Sequence, residues 1–193
     1  FTFYFLSIEY GNVAVAATLM YCAPVFVYLA SFALKLERPT AAKWLAIALV
    51  MVGIVMLTKL YAISASSLSL IGVGTGLLAG LSYAMFIFGF KYAAPHGSPQ
   101  AVLSVAFTVQ AIALLLPTDI SQAVSVVSAP ELPLFVALGI LGAGLSFLLY
   151  VVGIKHAAPA LASMVAMVEP ITATLFGVAV LNESLGVIQM VGM

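Results

Sequence analysis

The chain has 193 residues, 65% of them hydrophobic and 6% charged, with a mean hydropathy of +1.27 and zero formal net charge. Soluble domains carry about 25% charged residues and cannot hide this much apolar surface, so the composition excludes a soluble fold and reads as an all-α polytopic membrane protein. Neutrality gives no case for nucleic acid as a partner, and a single cysteine, Cys22, excludes an intrachain disulfide and makes no metal site alone.

A bilayer core takes about 20 apolar residues per helix. In chain order, the sequence predicts a helix tail at 1–8 and apolar windows at about 12–34, 41–60, 69–90, 99–117, 132–154 and 159–181, then a helix start at 186–193. Loops are short, the longest being TDISQAVSVVSAPE at 118–131. The opening FTFYF has neither an initiator Met nor a signal-peptide pattern, and the closing QMVGM falls within an apolar run. The expectation is an internal fragment of a longer protein.

Basic residues distribute unevenly over these crossings. Lys35, Arg38 and Lys43 lie around the second loop, Lys91 in the fourth and Lys155 in the sixth, all on one face. Lys59 alone falls on the other face, with Glu9, Asp119, Glu131 and Glu183. By the positive-inside rule, residues 35–43, 91–98 and 155–158 are cytoplasmic, and Trp44 beside Lys43 is placed as an interfacial anchor.

The chain also resembles itself at an ungapped offset of 146 residues. Phe1 meets Phe147, Tyr4 meets Tyr150, Pro24 meets Pro170, and Glu37 meets Glu183. The pairs of common apolar residues count for little. The proline followed thirteen residues later by glutamate, in both copies, counts for more. The offset spans five crossings, an odd number, so equivalent helices point in opposite directions, as in the inverted repeats of secondary transporters. This arithmetic predicts two inverted repeats of five helices in a protein of about ten crossings, with this chain running from the end of helix 3 to the start of helix 10.

The stretch AVAATLMYCAPVFVYLASFALKLERPTAAKWLAIALVMVGIVML, and later ALASMVAMVEPITATLFGVAVLNESLGVIQMVG, resembles the EamA-type family of the drug/metabolite transporter superfamily. The resemblance rests on an ordered set: Pro24, Glu37 and Gly53 in one copy, Glu169, Pro170, Glu183 and Gly192 in the other. It implies that residues 1–60 end a first EamA-type repeat (helices 3–5) and residues 69–193 form a second (helices 6–10, the last truncated). It further implies cytoplasmic termini and a multi-pass transporter of the bacterial inner (plasma) membrane that exports amino acids or other small metabolites. A non-transporting scaffold and a facilitative channel are the alternatives on the same fold. Ala23 stands where the second copy has Glu169, so an acid there is no general requirement.

Several residues are candidates for function. Pro24 and Pro170 each lie near the middle of a predicted span, where proline frees the carbonyl four residues back, here Met20 and Ala166. Each is either a kink that opens a midplane cavity or an ordinary packed kink. Glu169 is the deepest acid. A charge at the bilayer centre costs about 2.5–3.5 kcal/mol on insertion scales, which argues against lipid exposure. It is either a protonatable cavity residue, coupling protons or holding an amino group, or a neutral acid bonded to another helix. Tyr83, Tyr150, Tyr21 and Gln110 are the expected companions in that cavity, although inter-helix bonding or aromatic filling would account for each singly. Tyr4, Ser82, Thr108 and Ser146 complete the mid-depth polar set. Glu37 and Glu183 end their helices and either shape a loop or touch the solute. Gly72, Gly76 and Gly80 form one small-residue stripe; Gly139, Gly142, Ala143, Gly144 and Ser146 form another, and both read as close-packing faces.

GLSY (80–83) and GLSF (144–147) contain the GxS of intramembrane serine proteases, but His96 and His156 fall in loops, as does Asp119. The expectation is therefore no enzyme, no cofactor and no bound metal. The expected partners are a small-molecule metabolite and the lipid bilayer, with protons as a candidate coupling ion; nothing fixes the oligomeric state.

Overall fold

The computed structural model describes residues 2–64, 68–116 and 119–193. Phe1, paired by the offset with Phe147, and Pro117 and Thr118, at the edge of the long loop, lie outside them. Among the described residues the secondary structure is helical throughout. Four stretches are long and apolar enough to cross a membrane: Val13–Ala33, Leu70–His96, Leu132–Ile154 and Pro159–Leu181. Two shorter apolar helices, Ala41–Leu57 and Pro99–Leu115, coincide with the remaining windows.

The chain divides into two compact units, residues 1–88 with 158–193, and residues 89–157. The first unit holds α1 (Thr2–Glu9), α2 (Val13–Met20), α3 (Ala23–Ala33), α4 (Ala41–Leu57) and most of α5 (Leu70–Ala93). The second unit holds the end of α5, α6 (Pro99–Leu115), α7 (Ile120–Ser125), α8 (Leu132–Ala137) and α9 (Ser146–Ile154). The chain then returns to the first unit with α10 (Pro159–Val165), α11 (Val168–Leu181) and α12 (Val187–Gly192).

The two prolines do more than kink their spans: they end one helix and start another. Val13–Ala33 is interrupted at Tyr21–Cys22, with Pro24 in the first turn of α3, where a missing N–H costs nothing. Pro159–Leu181 is interrupted at Ala166–Met167, and Pro170 is the third residue of α11. Tight turns close both breaks: Cys22 N–H donates to the Leu19 carbonyl (3.2 Å) and Met167 N–H to that of Met164 (3.1 Å). The Ala166 carbonyl, expected to lose its partner to proline, accepts the Glu169 N–H at 3.0 Å. The breaks therefore recur one residue apart under the offset of 146.

The first glycine stripe packs α5 against α1 and α2. A Cβ at residue 72 would stand 3.1 Å from the Gly11 Cα, and one at residue 76 would stand 2.6 Å from Leu19 Cδ1. At residue 80 it would stand 2.5 Å from the Leu19 carbonyl oxygen, beside the break. Ser7 Oγ donates to the Gly72 carbonyl at 2.7 Å and fixes the register. Gly53 of α4 and Gly192 of α12 form a second close crossing, each facing the other's carbonyl oxygen within 2.8 Å of an added Cβ. Thr18 and Thr58 share a 2.7 Å hydroxyl bond that ties α2 to the end of α4.

The second stripe does not do this. Gly139 has no neighbour within 4 Å of an added Cβ, and Gly142 and Gly144 meet only their own helix. The backbone over Leu138–Leu145 is π-helical, and Ser146 Oγ donates five residues back to the Leu141 carbonyl (2.9 Å). Loose winding with small side chains replaces inter-helix packing there.

In the second unit, Lys91 near the end of α5 gathers the chain after α9. Its Nζ donates to the carbonyls of Ala157 (2.7 Å), Ile154 (3.0 Å) and Lys155 (3.1 Å). These are last-turn and post-helical oxygens with no helical donor, where a cation also meets the negative end of the helix dipole. Lys91→Met keeps the apolar stem and removes all three bonds. It is expected to cost about 1–2 kcal/mol, read as a lower melting temperature of the purified protein, while Lys91→Arg loses less. A melting temperature unchanged by Met would show that water serves these carbonyls equally well.

Candidate substrate site

The break in Pro159–Leu181 places Glu169 in the first turn of α11, where an acid suits the exposed N–H groups of a helix start. Its side chain is exposed on the first unit. Tyr83, on α5, directs its hydroxyl to Glu169 Oε2 at 3.5 Å, and its ring lies 5.9 Å from that of Phe86. Tyr4 and Tyr21 lie within electrostatic reach of the same carboxylate. The break in the other span holds Tyr21 itself, which is buried with Ile54 and Met167. Tyr83, Met20 and Ala166 pack against that cluster. Tyr21 and Met167 are equivalent residues under the offset, so the two breaks meet in one core.

Beside it lies an apolar cleft of about 230 Å³, bordered by Val50, Ile54, Leu57, Met167, Ile171 and Met193 among others. Ile54 and Met167 belong to both the cleft and the Tyr21 core. The cleft is lined by apolar residues of the Met167–Ile171 face of α11, whereas Glu169, two residues from Ile171, lies on another face of that helix with Tyr83.

The family model of EamA-like transporters matches residues 1–59 and 70–193. The chain belongs to that family. It is also similar to an uncharacterized transporter of Archaeoglobus fulgidus, 28% identical over 198 residues. The match covers 98% of this chain and 66% of that relative, so the chain spans just under two thirds of the relative's length. No solved structure matches.

In this EamA-like chain, Glu169, Tyr83 and Tyr21 lie in one unit, brought together around the two helix breaks. Tyr150 and Gln110 lie in the other unit. Tyr150 there sets its ring edge-on to Phe90 at 6.1 Å, and Gln110 is exposed on α6. Of the other mid-depth hydroxyls, Ser82 bonds the Leu78 carbonyl and Ser146 the Leu141 carbonyl within their own helices. Tyr4 is the residue that sequence reasoning undervalued. Its depth was visible; its nearness to Glu169 depends on how α1 packs.

The helix-ending acids behave differently from each other. Glu37 pairs with Lys43 at 2.5 Å, and its Oε1 accepts the Ala160 N–H at 3.3 Å. Tyr28, two turns earlier on α3, accepts the Thr40 N–H at 3.0 Å and packs edge-on to Trp44 at 4.7 Å. Trp44, expected as an interfacial anchor, packs against the Tyr28 ring whose hydroxyl holds Thr40 at the end of the loop. Glu183 follows Asn182, which ends α11 in the left-handed region at φ 56°. The Glu183 carboxylate lies over Gly177, its Oε2 2.5 Å from where a Cβ would stand.

Proposed function

We propose that this protein is a secondary transporter that moves an amino acid or another small metabolite across the inner (plasma) membrane, outward, by alternating access. The observation that carries the reading is the Glu169 carboxylate at a helix break deep in an apolar span, facing the Tyr83 hydroxyl beside Tyr21 and Tyr4. Interrupted spans with an ionisable group at the break are how transporters form midplane sites. The recurrence of the break within one residue of equivalent positions supports two inverted five-helix repeats and about ten crossings in the full protein. Glu169 would hold the solute's amino group or carry a coupling proton, and the phenols would take the rest.

The test is flux of a labelled amino-acid and metabolite panel into vesicles bearing the full-length protein. Saturable uptake accelerated by counterflow is expected for at least one solute. Linear, non-saturating flux would indicate a channel, and no flux above empty vesicles would indicate a scaffold.

A further inference from the structure

Under the 146-residue offset, the contacts of Glu37 can be compared with those of its equivalent, Glu183. The residues Glu37, Lys43 and Ala160 correspond to Glu183, Gln189 and Ala14. Glu37 holds both Lys43 and the Ala160 N–H at the start of α10. The counterpart contacts are not made. Gln189 Nε2 donates instead to the Leu57 carbonyl at 3.0 Å. Asn12 Oδ1 accepts from Val15 N–H at 3.1 Å and leaves that of Ala14, in the first turn of α2.

The two glutamate turns share a backbone bond, although the left-handed residue is Lys35 in one and Asn182, the equivalent of Leu36, in the other. Glu37 N–H donates to the Ser31 carbonyl (3.4 Å) and Glu183 N–H to the Gly177 carbonyl (3.1 Å), and residues 31 and 177 are themselves equivalent. The side chains then take different courses. At Gly177 the absent Cβ leaves room for the Glu183 carboxylate to fold back. Ser31 has that Cβ, and Glu37 extends to Lys43 and Ala160. The helices follow the carboxylates: α3 packs closely on α10, whereas α2 and α11 make no comparable contact.

We propose that Glu37 and Glu183 are the two halves of one alternating gate. The state described here is latched at the Glu37 end. In the opposite state Glu37 releases the Ala160 N–H, Glu183 leaves Gly177 for the Ala14 N–H, and α2 closes on α11. Lys43 gives Glu37 a charge partner that Gln189 cannot give Glu183, so the resting state favours the Glu37 latch. The gate rests on the alternating-access reading above.

The test uses the full-length protein in liposomes, native cysteines removed, with spin labels at Arg38 and Ala158 for one end and at Tyr10 and Ser184 for the other. All four positions are exposed. Short distances are expected to dominate at the first pair and long ones at the second. Glu37→Gln keeps an oxygen for the Ala160 N–H and loses the ion pair. It should lower the short fraction at the first pair about threefold and raise it at the second, the population shift of a part-buried surface ion pair. Gly177→Ala displaces only the mobile end of Glu183 and should raise the short fraction at the second pair by itself. The gate is overturned if Glu37→Gln moves the two ends independently or not at all, or if Gly177→Ala leaves the second pair unchanged. Saturable wild-type flux with uncoupled distances removes the gate and keeps the transporter. Coupled distances without flux remove the transporter and keep the gate.

Discussion

Gly80→Leu is expected to destabilise the protein by about 3 kcal/mol, at the upper end of what an overpacked core site costs. The added Cβ would stand 2.5 Å from the Leu19 carbonyl oxygen and 3.1 Å from the Phe26 ring. The first neighbour is backbone at a helix break, so no rotamer change relieves the overlap, and α5 has to move away from α2. That movement also loosens Tyr83, three residues along the same helix. Gly74→Leu is the control, because nothing lies within 4 Å of its added Cβ. Thermal unfolding of the two variants in detergent decides the matter. A clear drop for residue 80 and little change for residue 74 is expected, and equal shifts would show that the stripe is not a packing face.

Glu169→Gln should reduce kcat/KM of transport about tenfold or more, the worth of one charge-assisted contact. The amide keeps the shape of the acid and an oxygen for the Tyr83 hydroxyl, so folding should be preserved. What it loses is charge and the ability to carry a proton. Transport that depends on a proton gradient in the wild type should therefore lose that dependence in the variant. Tyr83→Phe removes a long bond of 3.5 Å and should cost less, with gradient dependence retained. If Glu169→Gln leaves both the rate and the gradient dependence intact, Glu169 is a packing residue and the solute binds elsewhere.

Particular residues show what could be seen in advance. The spans were legible because about 20 apolar residues in a row have few other uses. Pro24 and Pro170 marked the right places, since a missing N–H and a ring clash act within one turn. What proline alone does not fix is whether the chain bends or stops. Here it stops, because the turns at Tyr21–Cys22 and Ala166–Met167 satisfy the backbone without a continuous helix. The two small-residue stripes read alike, yet only the one at 72–80 meets a partner. Spacing reports that close approach is permitted; whether a helix arrives depends on the whole fold. The same limit applies to the site. Glu169 and Tyr83 are 86 residues apart, and depth was the one coordinate they shared before folding. Depth alone could not separate Tyr21, which joins them in one unit, from Tyr150 and Gln110 in the other.

Helix α4 is 17 residues long, from Ala41 to Leu57, and basic residues mark its ends, with Lys43 in the first turn and Lys59 just beyond. At about 1.5 Å per residue it spans about 25 Å, less than the hydrocarbon thickness of about 30 Å. As one of the crossings proposed for this protein, α4 would require the surrounding lipid to thin, or the lysines to stretch toward the headgroups, at a fraction of a kcal/mol for each ångström of mismatch. The acyl-chain length of the host bilayer would then act on this protein directly, with short chains matching α4 at rest and long chains straining it.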